Sequence, residues 1–182
     1  MNAMDLIILC GSKNSGKTST GRELSKILKV PFYDLDQLIE KKTGQSVRGL
    51  YKAGEALFQR KETAALEELF CSNNSGVLAA SGGIIDNPGA MVFLGKKSAN
   101  HCTIYLEVTV KTAWQRIVNE GELPPFLDAP TLDESEKKHR LLHERRAKEY
   151  KKIADHCISA EGKNEVSLAE ELCNLIQYKT KG

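Results

Sequence analysis

Apolar positions along this 182-residue chain follow two alternating rhythms. Short unbroken apolar runs stand at Leu6–Cys10, Val77–Ala80, Thr103–Leu106 and Cys157–Ser159, with a weaker one at Val30–Tyr33 around a proline. Runs of this kind predict short buried strands. Between them apolar residues return every three or four positions, which predicts helices over Thr18–Leu28, Leu35–Thr43, Glu55–Phe70, Pro88–Leu94, Lys111–Asn119, Asp133–Ile153 and Val166–Tyr178. Strands separated by helices imply right-handed crossovers and an α/β fold with a mostly parallel sheet covered on both faces. In such sheets ligands lie at the carboxyl ends of the strands, so a motif directly after a strand is a site candidate. One segment resists the pattern. Gly121–Pro130 reads GELPPFLDAP, with three prolines, and predicts a loop of lid-like length.

Length allows one well-buried core, so a single domain spanning 1–182 is expected. The net charge of +2 comes from interspersed acids and bases, which gives no reason to expect nucleic acid or an anionic membrane as partner. Cys10, Cys71, Cys102, Cys157 and Cys173 are scattered and never form a C-x-x-C pair. That argues against a disulfide framework or a zinc site and for a cytoplasmic location. The apolar run Leu6–Cys10 is too short for a signal-peptide core or a membrane span.

The sharpest chemical signal is Gly11-Ser12-Lys13-Asn14-Ser15-Gly16-Lys17-Thr18, a G-x-x-x-x-G-K-[ST] loop between a predicted strand and a predicted helix. Its glycines let backbone N–H groups curl around phosphate oxygens, and the helix N-terminus adds partial positive charge. Gly11, Asn14, Ser15, Gly16, Lys17, Thr18 and Ser19 are therefore candidate ATP-binding residues. Lys17 is placed to reach the β- and γ-phosphates and Thr18 to ligate Mg2+. No N-K-x-D guanine-reading motif is present, and the chain is short for a large ATPase, so a small-molecule kinase fits best.

Further motifs narrow the family: Asp34-Leu35-Asp36 after the second strand, Lys42-Thr43-Gly44, Gly54-Glu55 with Phe58 and Glu62, Ser81-Gly82-Gly83 after the third strand, and Arg146-Ala147-Lys148-Glu149-Tyr150. In this order and spacing the sequence resembles the shikimate kinase family over nearly its whole length. The resemblance implies a P-loop three-layer sandwich of the nucleoside-monophosphate-kinase type, with five parallel strands in the order 2-3-1-4-5. It also implies a substrate-binding region at about 35–62 and a lid at about 121–131. The activity implied is transfer of the ATP γ-phosphoryl group to shikimate, giving 3-phosphoshikimate for aromatic amino-acid biosynthesis, by a monomer.

The same resemblance implies that Asp34 faces the hydrated Mg2+, that Asp36 holds and deprotonates the acceptor hydroxyl, and that Gly82 and Gly83 meet the acceptor. It implies that Arg146 pairs with the acceptor carboxylate and that Arg116 lies near the adenine. Residue types leave alternatives open. Asp36 is equally suited to cap the helix beginning near Gln37, Arg145 and Arg116 to a solvated helix surface, and His139 and His143 to the core rather than to a metal.

Two departures bear on function. The family carries an arginine directly after the Phe of G-E-x-x-F, where this chain has Gln59 followed by Arg60. On a helix Arg60 points about 100° away, so Gln59 or a bent Arg60 is the expected substitute. The family's lid arginine is replaced by Pro124, and no Lys or Arg lies between Gly121 and Glu136, which leaves Arg140 or Arg146 to supply charge. The rival readings are a kinase for another small polyol or acid, and a nucleotide-binding regulator without transfer activity.

Overall fold

The computed structural model describes residues 6–72, 75–95 and 101–179. Five strands, β1 (Leu6–Cys10), β2 (Phe32–Asp34), β3 (Gly76–Ala79), β4 (His101–Glu107) and β5 (His156–Ser159), form one parallel sheet in the order β2-β3-β1-β4-β5. The order agrees with the expectation. β1 is paired on both sides, with Ile8 opposite Leu78 of β3 and Thr103 of β4. Every residue of β1 and β3 is buried, whereas the edge strand β5 alternates between half-buried and exposed. Unbroken apolar runs thus mark the middle of the sheet, where both faces are covered.

Alternation along β1 divides the interior into two cores, since successive side chains point to opposite faces. Leu6, Ile8 and Cys10 join a cluster with Leu35, Ile39, Leu66 and Leu69. Those partners come from α2 (Leu35–Thr43) and α4 (Glu55–Cys71). Ile7 and Leu9 join Leu24, Leu168 and Leu172 on the other face. These come from α1 (Lys17–Leu28) and α8 (Glu165–Lys179). A third, small cluster of Trp114, Ile117 and Leu127 fastens the proline-rich loop to α6 (Val110–Asn119).

One helix was not legible in the sequence. α3 (Val47–Ala53) stands between Gly44, which ends α2 at φ 67°, and Gly54 at φ 147°. The Ser46 hydroxyl caps it by accepting from the Gly49 amide at 3.1 Å. Seven residues with a central glycine are too few for a periodic signal, and so short a helix depends on packing rather than propensity. Beyond it, α5 (Pro88–Leu94) follows the turn after β3, and α7 (Leu132–Ile153) runs back along the sheet. The stacking of Tyr105 in β4 on Tyr150 in α7, with centroids 5.2 Å apart, fixes α7 and hence Arg146 one turn earlier.

All parallel strands end on one edge, and the candidate residues gather there: Gly11 after β1, Asp34 at the end of β2, and Ser81 to Gly83 after β3. α7 begins in a capping box in which the Thr131 hydroxyl accepts from the Glu134 amide and the Glu134 carboxylate accepts from the Thr131 amide. Thr131→Ala should cost about 1 kcal/mol of stability, read from urea unfolding. An unchanged midpoint and slope would show that the cap does not anchor α7.

Candidate active site

The phosphate-binding loop is shaped by close contacts. Gly11 has φ 146°, and a Cβ there would stand 2.7 Å from the Leu106 carbonyl oxygen. Gly16, at φ 95°, caps α1 without any side-chain bond, so the first amides of the helix face the loop. Lys17 is 8% exposed. Its ammonium donates to the Gly11 and Ser12 carbonyls at 3.0 and 2.7 Å. Burial pulls its pKa down to about 8, opposed chiefly by the charge of Asp36. Arg116, expected near the adenine, donates to the Asn14 carbonyl at 2.8 Å and so braces the loop across the sheet edge. Ser19 donates to the Gly16 carbonyl at 3.1 Å.

The two aspartates take different tasks. Asp34, not Asp36, caps α2: its Oδ1 accepts from the Gln37 amide at 3.2 Å, while Oδ2 accepts from the Thr18 hydroxyl at 2.8 Å. Thr18 and Asp34 thus present two hard oxygens side by side next to the phosphate loop, a donor set that suits Mg2+. Asp36, relieved of capping, points into a cavity and accepts from the Ser81 hydroxyl at 2.6 Å. Burial raises its pKa, with Asp34 and Glu40 adding to the effect.

Glu62 on α4 lines the same cavity and is 1% exposed. Its Oε2 accepts from the Asn87 side-chain amide at 2.8 Å, and that amide also donates to the Gln59 carbonyl. Burial pushes the Glu62 carboxyl up to about 7 against the pull of Asn87.

The cavity has a volume of about 430 Å3 and lies between α2, α3, α4, the loop after β3 and the proline-rich loop. Arg146 enters it from α7, with a side chain 11% exposed. Its Nε donates to Asp86 Oδ2 at 2.7 Å and one terminal nitrogen to the Gly82 carbonyl at 3.4 Å. Arg145, read from sequence as a solvated surface residue, forks onto both Asp86 oxygens at 2.6 and 2.9 Å. Hydrogen bonds and charge from the two arginines hold the Asp86 pKa below the usual range despite partial burial. The glycines are explained by these neighbours. A Cβ on Gly82 would stand 2.8 Å from the Lys13 amide nitrogen, and one on Gly83 3.0 Å from the Arg146 guanidinium.

Around the departures the structure is specific. Gln59 lines the cavity, its amide donating to the Asp86 carbonyl at 3.3 Å and to Glu55 at 3.4 Å. Arg60 is exposed and does not reach the cavity, which corrects the expectation that it bends round to help Gln59: its position on α4 points it away. Arg140 likewise faces solvent, leaving Arg146 as the α7 cation at the site. Phe126, two residues after Pro124, lies 5.3 Å over the Arg146 guanidinium and edge-on to Tyr51 at 5.9 Å. His139 and His143 are core residues beside Trp114, as expected; burial lowers both pKa values, that of His139 to about 4. Sequence reasoning passed over Arg48, Glu62 and Asp86 as site residues. Only their place beside the cavity marks them, although Glu62 stood among the motif residues, four positions after Phe58.

A phosphate cradle at the end of β1, joined through one glycine contact to an acceptor-sized cavity holding a carboxylate and an arginine, defines a P-loop small-molecule kinase. A family profile described as shikimate kinase matches residues 13–177. Shikimate kinase of Streptococcus gordonii is 34% identical over 164 residues, covering 90% of this chain and 95% of the relative. That of Enterococcus faecalis is 34% identical over 179 residues, covering 98% of this chain and 99% of the relative. Among solved structures, shikimate kinase from Acinetobacter baumannii in complex with shikimate superposes with a TM-score of 0.85 at 31% identity, covering 96% of this chain and 93% of that one. The Aquifex aeolicus shikimate kinase structure gives 0.77 at 29% identity, covering 96% of this chain and 98% of that one. The chain belongs to the shikimate kinase family.

The raised Glu62 pKa has a measurable consequence. Stability from the neutral buried carboxyl is fully present below pH 4.5, the ordinary value, and is lost as pH rises through about 7. Relative to Glu62→Gln, which keeps a neutral side chain, the wild-type unfolding free energy should fall by on the order of 2–3 kcal/mol over this window. Urea unfolding of both proteins across the window measures the difference, and parallel pH dependences would place the titration elsewhere.

Proposed function

We propose that this protein transfers the γ-phosphoryl group of ATP to a hydroxyl of shikimate, giving 3-phosphoshikimate and ADP, as a step of aromatic amino-acid biosynthesis. The observation that carries this reading is the position of Asp36. It stands in the wall of the acceptor cavity, and its charge acts on Lys17 in the phosphate loop. A hydroxyl held at Asp36 therefore lies beside the site of a γ-phosphate.

In the reaction the acceptor oxygen forms a bond to the γ-phosphorus. The bond to the β,γ-bridging oxygen breaks, with its electron pair leaving on ADP, and the hydroxyl proton passes to Asp36. Burial favours that last step, since it raises the affinity of Asp36 for a proton. Lys17 and the α1 amides neutralise charge on the transferring group. Thr18 and Asp34 would hold Mg2+, which supplies charge neutralisation and orientation of the phosphates when bound. Arg146, kept in place by Asp86 and the Gly82 carbonyl, offers its remaining N–H groups to the acceptor carboxylate.

Three regions of a single domain over 1–182 share the work: the sheet core, the acceptor region 35–62 and the lid 121–131. A monomer is the working unit in this reading. Five free cysteines support a cytoplasmic location. No helix among the described residues is long and apolar enough to cross a membrane.

ADP release by the wild-type protein should be stimulated by shikimate, and a panel of polyols and other hydroxy acids should not substitute. Arg146→Ala removes a partner worth on the order of 2–5 kcal/mol and should raise the shikimate KM well over tenfold, with the ATP KM little changed. Lys17→Ala should instead depress turnover sharply at saturating shikimate, with little loss of stability. Gln59→Arg should lower the shikimate KM if the pocket receives a carboxylate. Wild-type and Gln59→Arg proteins both silent with shikimate would remove it as the acceptor.

Exchange of backbone amides across Gly121–Pro130 should slow when ATP analogue and shikimate are both bound, because closure excludes water from the transfer. Equal exchange with and without the two ligands would count against a lid.

A further inference from the structure

Three cationic side chains line the acceptor cavity: Lys13, Arg48 and Arg146. They face six acidic ones, Asp36, Glu40, Glu55, Glu62, Glu120 and Glu122. A ligand carboxylate entering this acidic space therefore needs more than one arginine to offset it. Arg146 provides one, but its Nε is already held by Asp86. Gln59 brings no charge, and its amide is engaged with Asp86 and Glu55. Lys13 pairs with Glu120 at 2.8 Å and stands on the phosphate side, its backbone against Gly82.

Arg48 remains, on α3 between α2 and α4. One terminal nitrogen donates to the Leu123 carbonyl of the lid at 2.9 Å, and the other pairs with Glu122 at 2.8 Å. The Glu122 side chain is 69% exposed and that of Arg48 35%. An ion pair so open to water is worth little and exchanges readily. A carboxylate brought into the cavity competes with Glu122 for the same nitrogen, while the bond to the Leu123 carbonyl persists. The planar fork of Arg48, with five N–H donors, can serve both at once.

We propose that Arg48 is the second arginine of the acceptor-carboxylate clamp in this chain, receiving the carboxylate in exchange for Glu122 while it holds the lid through Leu123. Charge absent from Gln59 is thus supplied from α3, by a second arginine lining the same cavity. The clamp also links acceptor binding to lid position, because one guanidinium bridges the two. This proposal rests on the reading of shikimate as acceptor and specifies which side chains recognise its acid group.

The test compares wild type, Arg48→Met and Arg48→Lys in ADP-release kinetics with shikimate and with its primary amide. The Arg48 side chain is 35% exposed, and a melting temperature beside each rate confirms folding. Arg48→Met should raise the shikimate KM by about tenfold or more, with kcat and the ATP KM changed far less. For the amide the same substitution should change KM little, so the preference for acid over amide collapses in the variant. Arg48→Lys should recover part of that preference. Equal losses for acid and amide would make Arg48 a lid fastener alone and overturn the proposal, as would no change for either. Wild type responding to shikimate with Arg48→Met unaffected defeats only this inference, whereas a wild type silent with shikimate defeats the acceptor reading and the inference with it.

Discussion

Gly82 lies so close to the backbone of Lys13 that no side chain fits between them; a Cβ would meet the amide nitrogen at 2.8 Å. This contact joins the loop after β3 to the phosphate loop after β1, two segments that are neighbours only because their strands pair in parallel. Around it the rest of the site is arranged. The Gly82 carbonyl accepts from Arg146 and from Tyr150, so α7 is fastened to the same point. Asp36 is tied in through Ser81, one residue earlier. Acceptor cavity and phosphate cradle are thus held in register by a backbone contact that glycine alone permits.

Electrostatics then divides labour among chemically similar groups. Asp34 is committed to Thr18 and to the Gln37 amide of α2. Asp36, two residues on, is left to a cavity that raises its pKa. Glu62 is more deeply enclosed and titrates near neutrality. Asp86 goes the other way, held anionic between Arg145 and Arg146. Asp36, Glu62 and Asp86 thus differ in proton affinity through burial and the nearest cation rather than through residue type.

The proline-rich loop carries no cation, yet Arg48, Arg146 and Lys138 all meet it. Phe126 covers the Arg146 guanidinium, and the Leu123 carbonyl and Glu122 meet Arg48. Leu127 is fully buried in the small cluster under α6. Leu123 and Phe126 pack against the same cluster, so polar and apolar contacts both hold the loop along its length.

Sequence alone determined the sheet, the phosphate loop and most of the helices, because each depends on local rules: unbroken apolar runs, three-to-four periodicity, and glycines where φ must be positive. Resemblance to the family singled out Asp34, Asp36 and Arg146, all of which stand around the phosphate loop and the cavity. Sequence did not reveal α3, whose seven residues are helical only because Ser46 and Gly54 bound them and the cavity wall packs on them. Nor did residue types say which aspartate caps α2, since capping by Asp34 depends on where α2 begins, to within one residue. The neighbours of Arg146 and Arg48 were beyond sequence altogether. Asp86 lies 60 positions from Arg146 and Leu123 lies 75 from Arg48. Such pairs exist only once the sheet has brought separate loops to one edge, and no local pattern records which charges will meet there.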